Sequence, residues 1–263
     1  MIKTLVSIEA DLASSLAIRF ACQLGGIISM EVHPVYVKEF PSDGSRTGAG
    51  WASRTWEREI IKQGKDEISE MIMTEMDFCP ALIEPRVIYG DRQSELLKIV
   101  QMEEFGLYVE GTHFPWNAGS IYKQLHSKFC KGLTFPVVWV RTLRKINQVL
   151  LLCLDSAGVE TLAQVFQRVW KGCPVPLLLA VPPGRYEEAK NLKEAVGNAR
   201  SVLEQSGCQV EVQENFPEPQ EELKDTALNF PLVAVALERD VKKDHPGLHW
   251  LAMTKTASLV AFY

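Results

Sequence analysis

The chain has 263 residues, and 46% of them are hydrophobic, which is enough apolar material for two cores of ordinary size. A formal net charge of -5 leaves no basic excess, so nucleic acid and an anionic membrane surface are disfavoured as partners. No apolar run approaches the about 20 residues that a membrane-spanning helix needs.

The N-terminal residues lead straight into a predicted strand and lack the apolar core and cleavage site of a signal peptide, which predicts a cytoplasmic protein. The six cysteines are scattered, with no C-x-x-C and no His-Cys spacing, so neither a metal motif nor a redox motif is indicated. We expect most of them to be small core residues. Cys153, inside the apolar run 149–154, is the clearest case.

Short apolar runs bounded by turn residues predict the strands of the first half, at residues 4–9, around 35, and at 86–89, 107–109 and 135–141. Two helical patterns separate the later strands: one carries Leu96 and Ile99, and the other carries Ile121 and Leu125. Alternating strands and helices imply right-handed crossovers and a parallel sheet. In such sheets ligands lie beyond the carboxyl ends of the strands, which is where Gly111 falls.

Residues 40–58 are an insertion rich in glycine and serine that leads into a helix, and two interpretations of it stay open. In one, Arg46 and Arg54 close over an anionic ligand held near Gly111. In the other, the segment is a mobile, solvated loop, which its composition favours.

The second half of the chain repeats the pattern of the first. Its strands are predicted at residues 149–154, around 181, and at 209–213, 233–235 and around 260. Asp155 follows the first of these strands as Glu9 follows the first strand of the chain, and we expect Asp155 to be a helix cap or turn residue. The boundary is predicted at residues 142–148, giving domains at 1–143 and 146–263.

Several segments together resemble the C-terminal half of a universal stress protein domain. The resemblance rests on residues 87–97, 109–113, 118–120 and 136–141, in matching order and spacing. It implies an α/β protein of two tandem Rossmann-like, doubly wound domains, each a five-stranded parallel sheet of order 3-2-1-4-5 with helices on both faces. It also implies a pseudo-dimer in which residues 137–140 lie beside residues 259–263, with a homodimer of the whole chain as a further option.

The same resemblance implies a nucleotide site in the first half. The family's ATP-binding loop has the pattern G-x-x-G, about nine residues, then G-S/T, and its amides and hydroxyl hold phosphates at a helix start. Gly111, Gly119 and Ser120 match three of its positions, and Glu9 stands where the family has an aspartate near the adenosine. Phe114 occupies the position of the second glycine, where a benzyl side chain fills the space that a phosphate needs. The second half has no such loop.

The histidines do not indicate metal or catalytic chemistry. His113 adjoins the loop, but the sequence supplies no serine, cysteine or carboxylate partner for it. His245 and His249 are four residues apart, and Pro246 and Gly247 between them are expected to break the helix that a metal site of this spacing needs. No metal is therefore predicted.

Two function classes stay open. The first is a regulatory stress-response protein of the universal stress type that binds ATP or another adenine nucleotide in its first half. The second is an interaction or structural protein with a vestigial site. An enzyme related to the adenine-nucleotide hydrolases is a third and weaker reading, because no catalytic residue is identified for it. Fold resemblance does not by itself deliver function.

Overall fold

The computed structural model describes residues 1–39, 51–76, 78–183, 190–217 and 230–263. Most of the insertion, including Arg46, lies outside the described residues, as does the side chain of Arg54. Both interpretations of residues 40–58 therefore stay predictions.

The described strands all lie in one sheet. They are β1 (Ile2–Ile8), β2 (Met30–Lys38), β3 (Arg86–Tyr89), β4 (Leu107–Gly111), β5 (Val137–Val140), β6 (Val149–Leu152), β7 (Leu177–Ala180), β8 (Val210–Gln213), β9 (Leu232–Leu237) and β10 (Ala257–Phe262). Most of these strands are buried on both faces, which is why they read as continuous apolar runs in the sequence.

The described helices connect these strands. They are α1 (Leu12–Gly25), α2 (Trp51–Met76), α3 (Arg92–Met102), α4 (Ala118–Leu125), α5 (Lys128–Gly132), α6 (Ser156–Val169), α7 (Lys190–Gln205) and α8 (Pro246–Met253). Several begin at a short polar residue whose side chain accepts a hydrogen bond from a backbone N–H of the first turn, namely Asp11, Asp91, Asn117, Ser127 and Asp155. The predicted capping role of Asp155 is confirmed.

The sheet order is β3-β2-β1-β4-β5-β10-β9-β6-β7-β8. Each half therefore has the predicted order 3-2-1-4-5, and its strands are parallel. Helices α1, α2, α6 and α7 pack on one face of the sheet, and α3, α4, α5 and α8 pack on the other. The predicted fold class is confirmed.

The two halves join through their last strands, as the resemblance implies for a pseudo-dimer. β5 and β10 pair in antiparallel fashion, with Val140 opposite Ala257 and Val137 opposite Val260. The predicted partners, residues 259–263, are shifted by two positions, since the last residues of β10 extend past β5 and pair with β9 only. The pairing covers two strand edges that would otherwise be open to association. The placement of the domain boundary between β5 and β6 stays a prediction.

The cysteines depart in part from expectation. Cys130, Cys153, Cys173 and Cys208 are free and buried, as expected of core residues. Cys22 and Cys79, however, form a disulfide that ties α1 to the segment after α2. Nothing in the sequence indicated this pair, because 57 residues separate the two cysteines and helix packing brings them together.

The expectation for Pro246 was also wrong. Pro246 does not break a helix but begins α8, at a position where its fixed φ and missing N–H suit a first turn. His245 caps this helix, and its Nδ1 accepts a hydrogen bond from the Gly247 amide. His245 therefore lies outside the helix that carries His249.

Among the described residues, no helix is long and apolar enough to cross a membrane.

Candidate functional site

The candidate site lies where the sheet of the first half changes its winding direction. β1 pairs with β2 on one side and with β4 on the other. The helices that follow β1 and β4 pack on opposite faces of the sheet, so a crevice opens beyond the carboxyl ends of these two strands. The turn at residues 9–11 and the loop at residues 112–117 border this crevice.

The turn between β1 and α1 is held by reciprocal hydrogen bonds. The Asp11 carboxylate accepts from the Ser14 amide at 2.9 Å, and the Glu9 amide donates to the Ser14 hydroxyl at 2.7 Å. Two of the backbone donors around the start of α1 are thereby satisfied. The Asp11 carboxylate and the Glu9 backbone are fixed at the edge of the crevice as a result.

Arg92 fills the crevice between β1 and β4. Its Nη2 donates to the Ser7 hydroxyl at 2.9 Å and to the buried Glu110 carboxylate at 2.5 Å, and its Nε lies 3.5 Å from a Glu9 oxygen. Burial by itself lowers the pKa of Arg92, but the neighbouring Tyr108 and Glu110 outweigh it and raise the pKa above its usual value. The guanidinium is thus a permanent cation that is already matched by carboxylates of the chain.

Gly111 has a packing reason to be glycine. A Cβ placed there would lie 2.2 Å from the Ala13 carbonyl oxygen, in the first turn of α1. No L side chain fits so close a backbone contact, so the position requires glycine whether or not a ligand binds. Its match to the family's phosphate loop therefore has an explanation in helix-to-strand packing.

The loop after β4 packs against the other half of the molecule. The ring of Phe114 stacks on Trp116 at 5.6 Å and meets the fully buried Trp139 edge-on at 5.7 Å. The Trp116 indole N–H donates to the Leu251 carbonyl oxygen of α8 at 2.8 Å. Arg141 lies over the Trp116 ring at 5.3 Å. We call these five residues the aromatic clamp.

The first turn of α4 contains the remaining loop positions. The side chain of Asn117 accepts a hydrogen bond from the Ser120 amide at 2.9 Å, so that donor is already used. Gly119 is more open. A Cβ placed there would have only one neighbour within 4 Å, the side-chain oxygen of Asn117 at 3.4 Å. A side chain at Gly119 is therefore sterically tolerable.

Taken together, the residues present do not fit ATP held in the family manner. Phe114 is partly buried and packs against the hydrophobic core where the loop would need an open glycine, and Pro115 has no amide proton to donate. The Ser120 amide is occupied by Asn117. Of the predicted site residues, Glu9 and Gly111 border the crevice, whereas Gly119 and Ser120 lie in the first turn of α4.

In the second half, the side chain of Tyr263 reaches the turn at the corresponding crevice. The Tyr263 hydroxyl donates to the Asp155 carboxylate, with both oxygens at 3.1 Å. Burial and the nearby Asp155 carboxylate raise the pKa of Tyr263 above its usual range. A tyrosine side chain therefore lies on the turn that follows β6, beside the start of α6.

His113 has the carboxylate partner that the sequence did not reveal. Its Nδ1 lies 3.1 Å from Asp11 Oδ2, and Glu9 completes a group whose three ligand-type atoms all lie within 4.8 Å of one another. Sequence reasoning missed Asp11, Arg92 and Glu110 as members of this site. The signal that would have found them is their position at the ends of β1, β3 and β4, three strands whose carboxyl ends face the same edge.

No protein-family model matches the sequence, and no curated protein matches it. Solved structures do match. A universal stress protein from Archaeoglobus fulgidus DSM 4304 has a TM-score of 0.61 at 12% identity, with 99% of this chain and 96% of that chain covered. A functionally unknown protein from Pseudomonas aeruginosa PAO1 has a TM-score of 0.56 at 15% identity, covering 99% and 92%.

A proposed universal stress protein from Pseudomonas aeruginosa UCBPP-PA14 has a TM-score of 0.53 at 16% identity, covering 99% of this chain and 92% of that one. At these identities the likeness concerns the fold. The chain has the fold of the universal stress proteins over almost its whole length, and the resemblance predicted from its sequence is confirmed at that level.

Proposed function

We propose that this protein is a regulatory module of the universal stress type that acts through protein contacts and does not hold ATP in a phosphate loop. The observation that carries the proposal is the aromatic clamp. The segment that would wrap around phosphates in the family instead joins the two halves, through the Trp116 hydrogen bond to Leu251.

Two further features support the proposal. Arg92 is neutralised by Glu110 and Glu9, so it offers little free positive charge to a phosphate. In the second half, Tyr263 closes on Asp155. Each crevice is thus occupied by side chains of the chain itself.

Binding of an adenine nucleotide in the first half is the second candidate, and the openness of Gly119 favours it. The backbone at Gly119 can be approached closely, and it lies in the first turn of α4, where helix amides attract anions. The partly exposed Glu9 lies at the same edge of the sheet. In this reading a nucleotide would contact α4 without the family loop.

A thermal-shift titration separates the two candidates. The proposal expects no rise in melting temperature with ATP or AMP at millimolar concentration, with or without Mg²⁺, because a ligand that binds the native state must raise it. Gly119→Asp adds a carboxylate at the start of α4, and Gly197→Asp, where a Cβ would meet nothing within 4 Å, is the matched control. A saturable rise that Gly119→Asp abolishes and Gly197→Asp keeps would establish nucleotide binding and overturn the proposal.

The proposal also extends to oligomeric state and compartment. The pairing of β5 with β10 supplies within one chain the contact that last strands make in the pseudo-dimer, so we expect a monomer by light scattering. A homodimer would need another surface. We propose a cytoplasmic location. A reducing compartment keeps cysteine pairs as thiols, so this location expects Cys22 and Cys79 to be reduced in the cell, and a disulfide found there by thiol trapping would overturn it.

A further inference from the structure

The two turns that border the first crevice bring metal-ligating side chains together. Glu9 and Asp11 come from the turn after β1, and His113 comes from the loop after β4. Their ligand-type atoms lie within 4.8 Å of one another, and within the described part of the chain no other group of three or more His, Cys, Asp or Glu residues meets that condition. The two segments are about a hundred residues apart in sequence, and the parallel pairing of β1 with β4 makes them neighbours.

The spacing of these atoms is close to that of a coordination shell. Zinc binds imidazole nitrogen and carboxylate oxygen at about 2.0–2.2 Å, so ligand atoms around a tetrahedral ion lie about 3.3–3.6 Å apart. His113 Nδ1 and Asp11 Oδ2 are already 3.1 Å apart. The Glu9 side chain is 43% exposed, so it can rotate to shorten its own distances without disturbing the core.

The carboxylate of Asp11 is oriented as a ligand needs to be. Its Oδ1 accepts the hydrogen bond from the Ser14 amide, which leaves Oδ2 directed at His113. Hydrogen bonds of this kind to a ligating carboxylate fix its direction and support metal affinity. The backbone of Glu9 is held by the hydrogen bond from its amide to the Ser14 hydroxyl, and one of its carboxylate oxygens lies 3.5 Å from Arg92 Nε.

We propose that Glu9, Asp11 and His113 bind one divalent transition-metal ion of the zinc type. One imidazole nitrogen and two carboxylates are a ligand set that suits such an ion, and the charge of two carboxylates balances its own. All three side chains are partly exposed, so positions that the protein does not fill open to solvent. The site shares Glu9 with the candidate nucleotide site, but its ligand set needs neither Gly119 nor a phosphate loop.

The competing explanation is a simple ion pair between protonated His113 and Asp11, with Glu9 nearby. An ion pair needs the proton on His113, whereas a metal needs the neutral imidazole. The ion pair and the metal site therefore predict different stoichiometries of metal binding. An ion pair gives no stoichiometric binding, and a metal site gives one ion per chain.

The test is isothermal titration calorimetry with Zn²⁺ on the full chain, combined with the visible absorption of bound Co²⁺. We expect one Zn²⁺ per chain, an affinity at least about 100-fold lower in His113→Ala, and loss of the Co²⁺ bands in that variant. Asp11→Asn is the second variant, because asparagine caps a helix as well as aspartate does and so leaves α1 intact.

His249→Ala is the matched control, since His249 is an exposed histidine of α8 in the other half. Its Zn²⁺ affinity is expected to equal that of the parent chain. Absence of saturable Zn²⁺ binding in the parent chain would overturn the proposal. Binding that His113→Ala and Asp11→Asn leave unchanged would overturn it as well, and circular dichroism of each variant establishes that the fold is retained.

Discussion

The indole N–H of Trp116 donates to the carbonyl oxygen of Leu251 at 2.8 Å, across 135 residues of sequence. Leu251 lies near the end of α8, and its carbonyl oxygen also accepts a hydrogen bond from the Thr254 amide of the helix cap. Trp116 therefore adds a second donor, from the first half, to a carbonyl oxygen of the second half. This hydrogen bond is the polar centre of the aromatic clamp.

We expect Trp116→Phe to lower the free energy of unfolding by about 1 kcal/mol, because it keeps a ring at the clamp but removes the donor. Urea denaturation followed by far-UV circular dichroism measures the change. Trp56→Phe is the control, since Trp56 packs edge-on against Tyr89 away from the clamp. Equal losses in the two variants would show that the Leu251 bond has no special role.

The pair formed by Arg92 and Glu110 is expected to be strongly coupled. Removing one partner leaves a charge in a site where the Glu110 side chain is only 5% exposed, so Glu110→Ala should destabilise the fold by about 3 kcal/mol. The double variant Arg92→Met with Glu110→Leu should lose less than Glu110→Ala alone, because it leaves no unpaired charge. Denaturant unfolding of the parent chain, Arg92→Met, Glu110→Leu and the double variant measures the coupling.

The exposed pair of Arg200 and Glu204, four residues apart on α7, is the control for that cycle. Its coupling is expected to be no more than about 0.5 kcal/mol. Additive losses at Arg92 and Glu110, as at the control pair, would contradict the buried network.

The disulfide between Cys22 and Cys79 predicts the thiol content of the denatured chain. Four thiols should titrate without reductant and six with it, because the chain has six cysteines and two are joined. Replacing both by alanine should lower the free energy of unfolding by about 3–4 kcal/mol, since a cross-link over 57 residues restricts the unfolded chain. Reductant should lower the melting temperature of the parent chain and leave the double variant unaffected. Six thiols without reductant would rule out the bond.

The hydrogen bond from Tyr263 to Asp155 predicts loss of stability at alkaline pH. The pKa of Tyr263 is raised in the folded state by burial and by Asp155, so the fold favours the neutral phenol. This contribution is fully present below the usual tyrosine pKa of about 10 and is lost as the pH rises toward the raised value. Tyr36, whose pKa is raised by burial and by Glu67, acts in the same direction.

The measurement is the free energy of unfolding from pH 8 to about pH 11 in the parent chain, in Tyr263→Phe and in Tyr36→Phe. Each variant should start lower and fall less steeply above about pH 10, because phenylalanine has no proton to lose. Identical slopes in all three proteins would exclude the two hydrogen bonds as the source of the pH dependence.

The sheet was predictable because its strands are buried on both faces and read as apolar runs between turn residues. The order of the strands followed from the alternation with helices and from the resemblance. The helix starts were partly predictable, as Asp155 illustrates. These features are encoded within a few residues of one another, so a local pattern is enough to reveal them.

The site was less predictable because its contacts join distant parts of the chain. Gly111 matches a phosphate loop in sequence, yet its neighbour in space is Ala13 of α1. Trp116 carries no sign of its partner Leu251. His113 was judged to lack a carboxylate because its partner Asp11 precedes it by about a hundred residues. Such pairs depend on register and helix packing, which a single sequence does not display.

The antiparallel pairing of β5 with β10 separates the two crevices in space. It points the carboxyl ends of the first five strands toward one edge of the sheet and those of the last five toward the opposite edge. A ligand therefore cannot bridge Glu9 and Asp155. The loop after β4 instead contacts α8, the helix that precedes β10. At this edge of the sheet the second half presents the amino ends of its strands, and its crevice lies at the opposite edge. One half of such a molecule can give up or acquire a binding site on its own, while the other half continues to hold the sheet together.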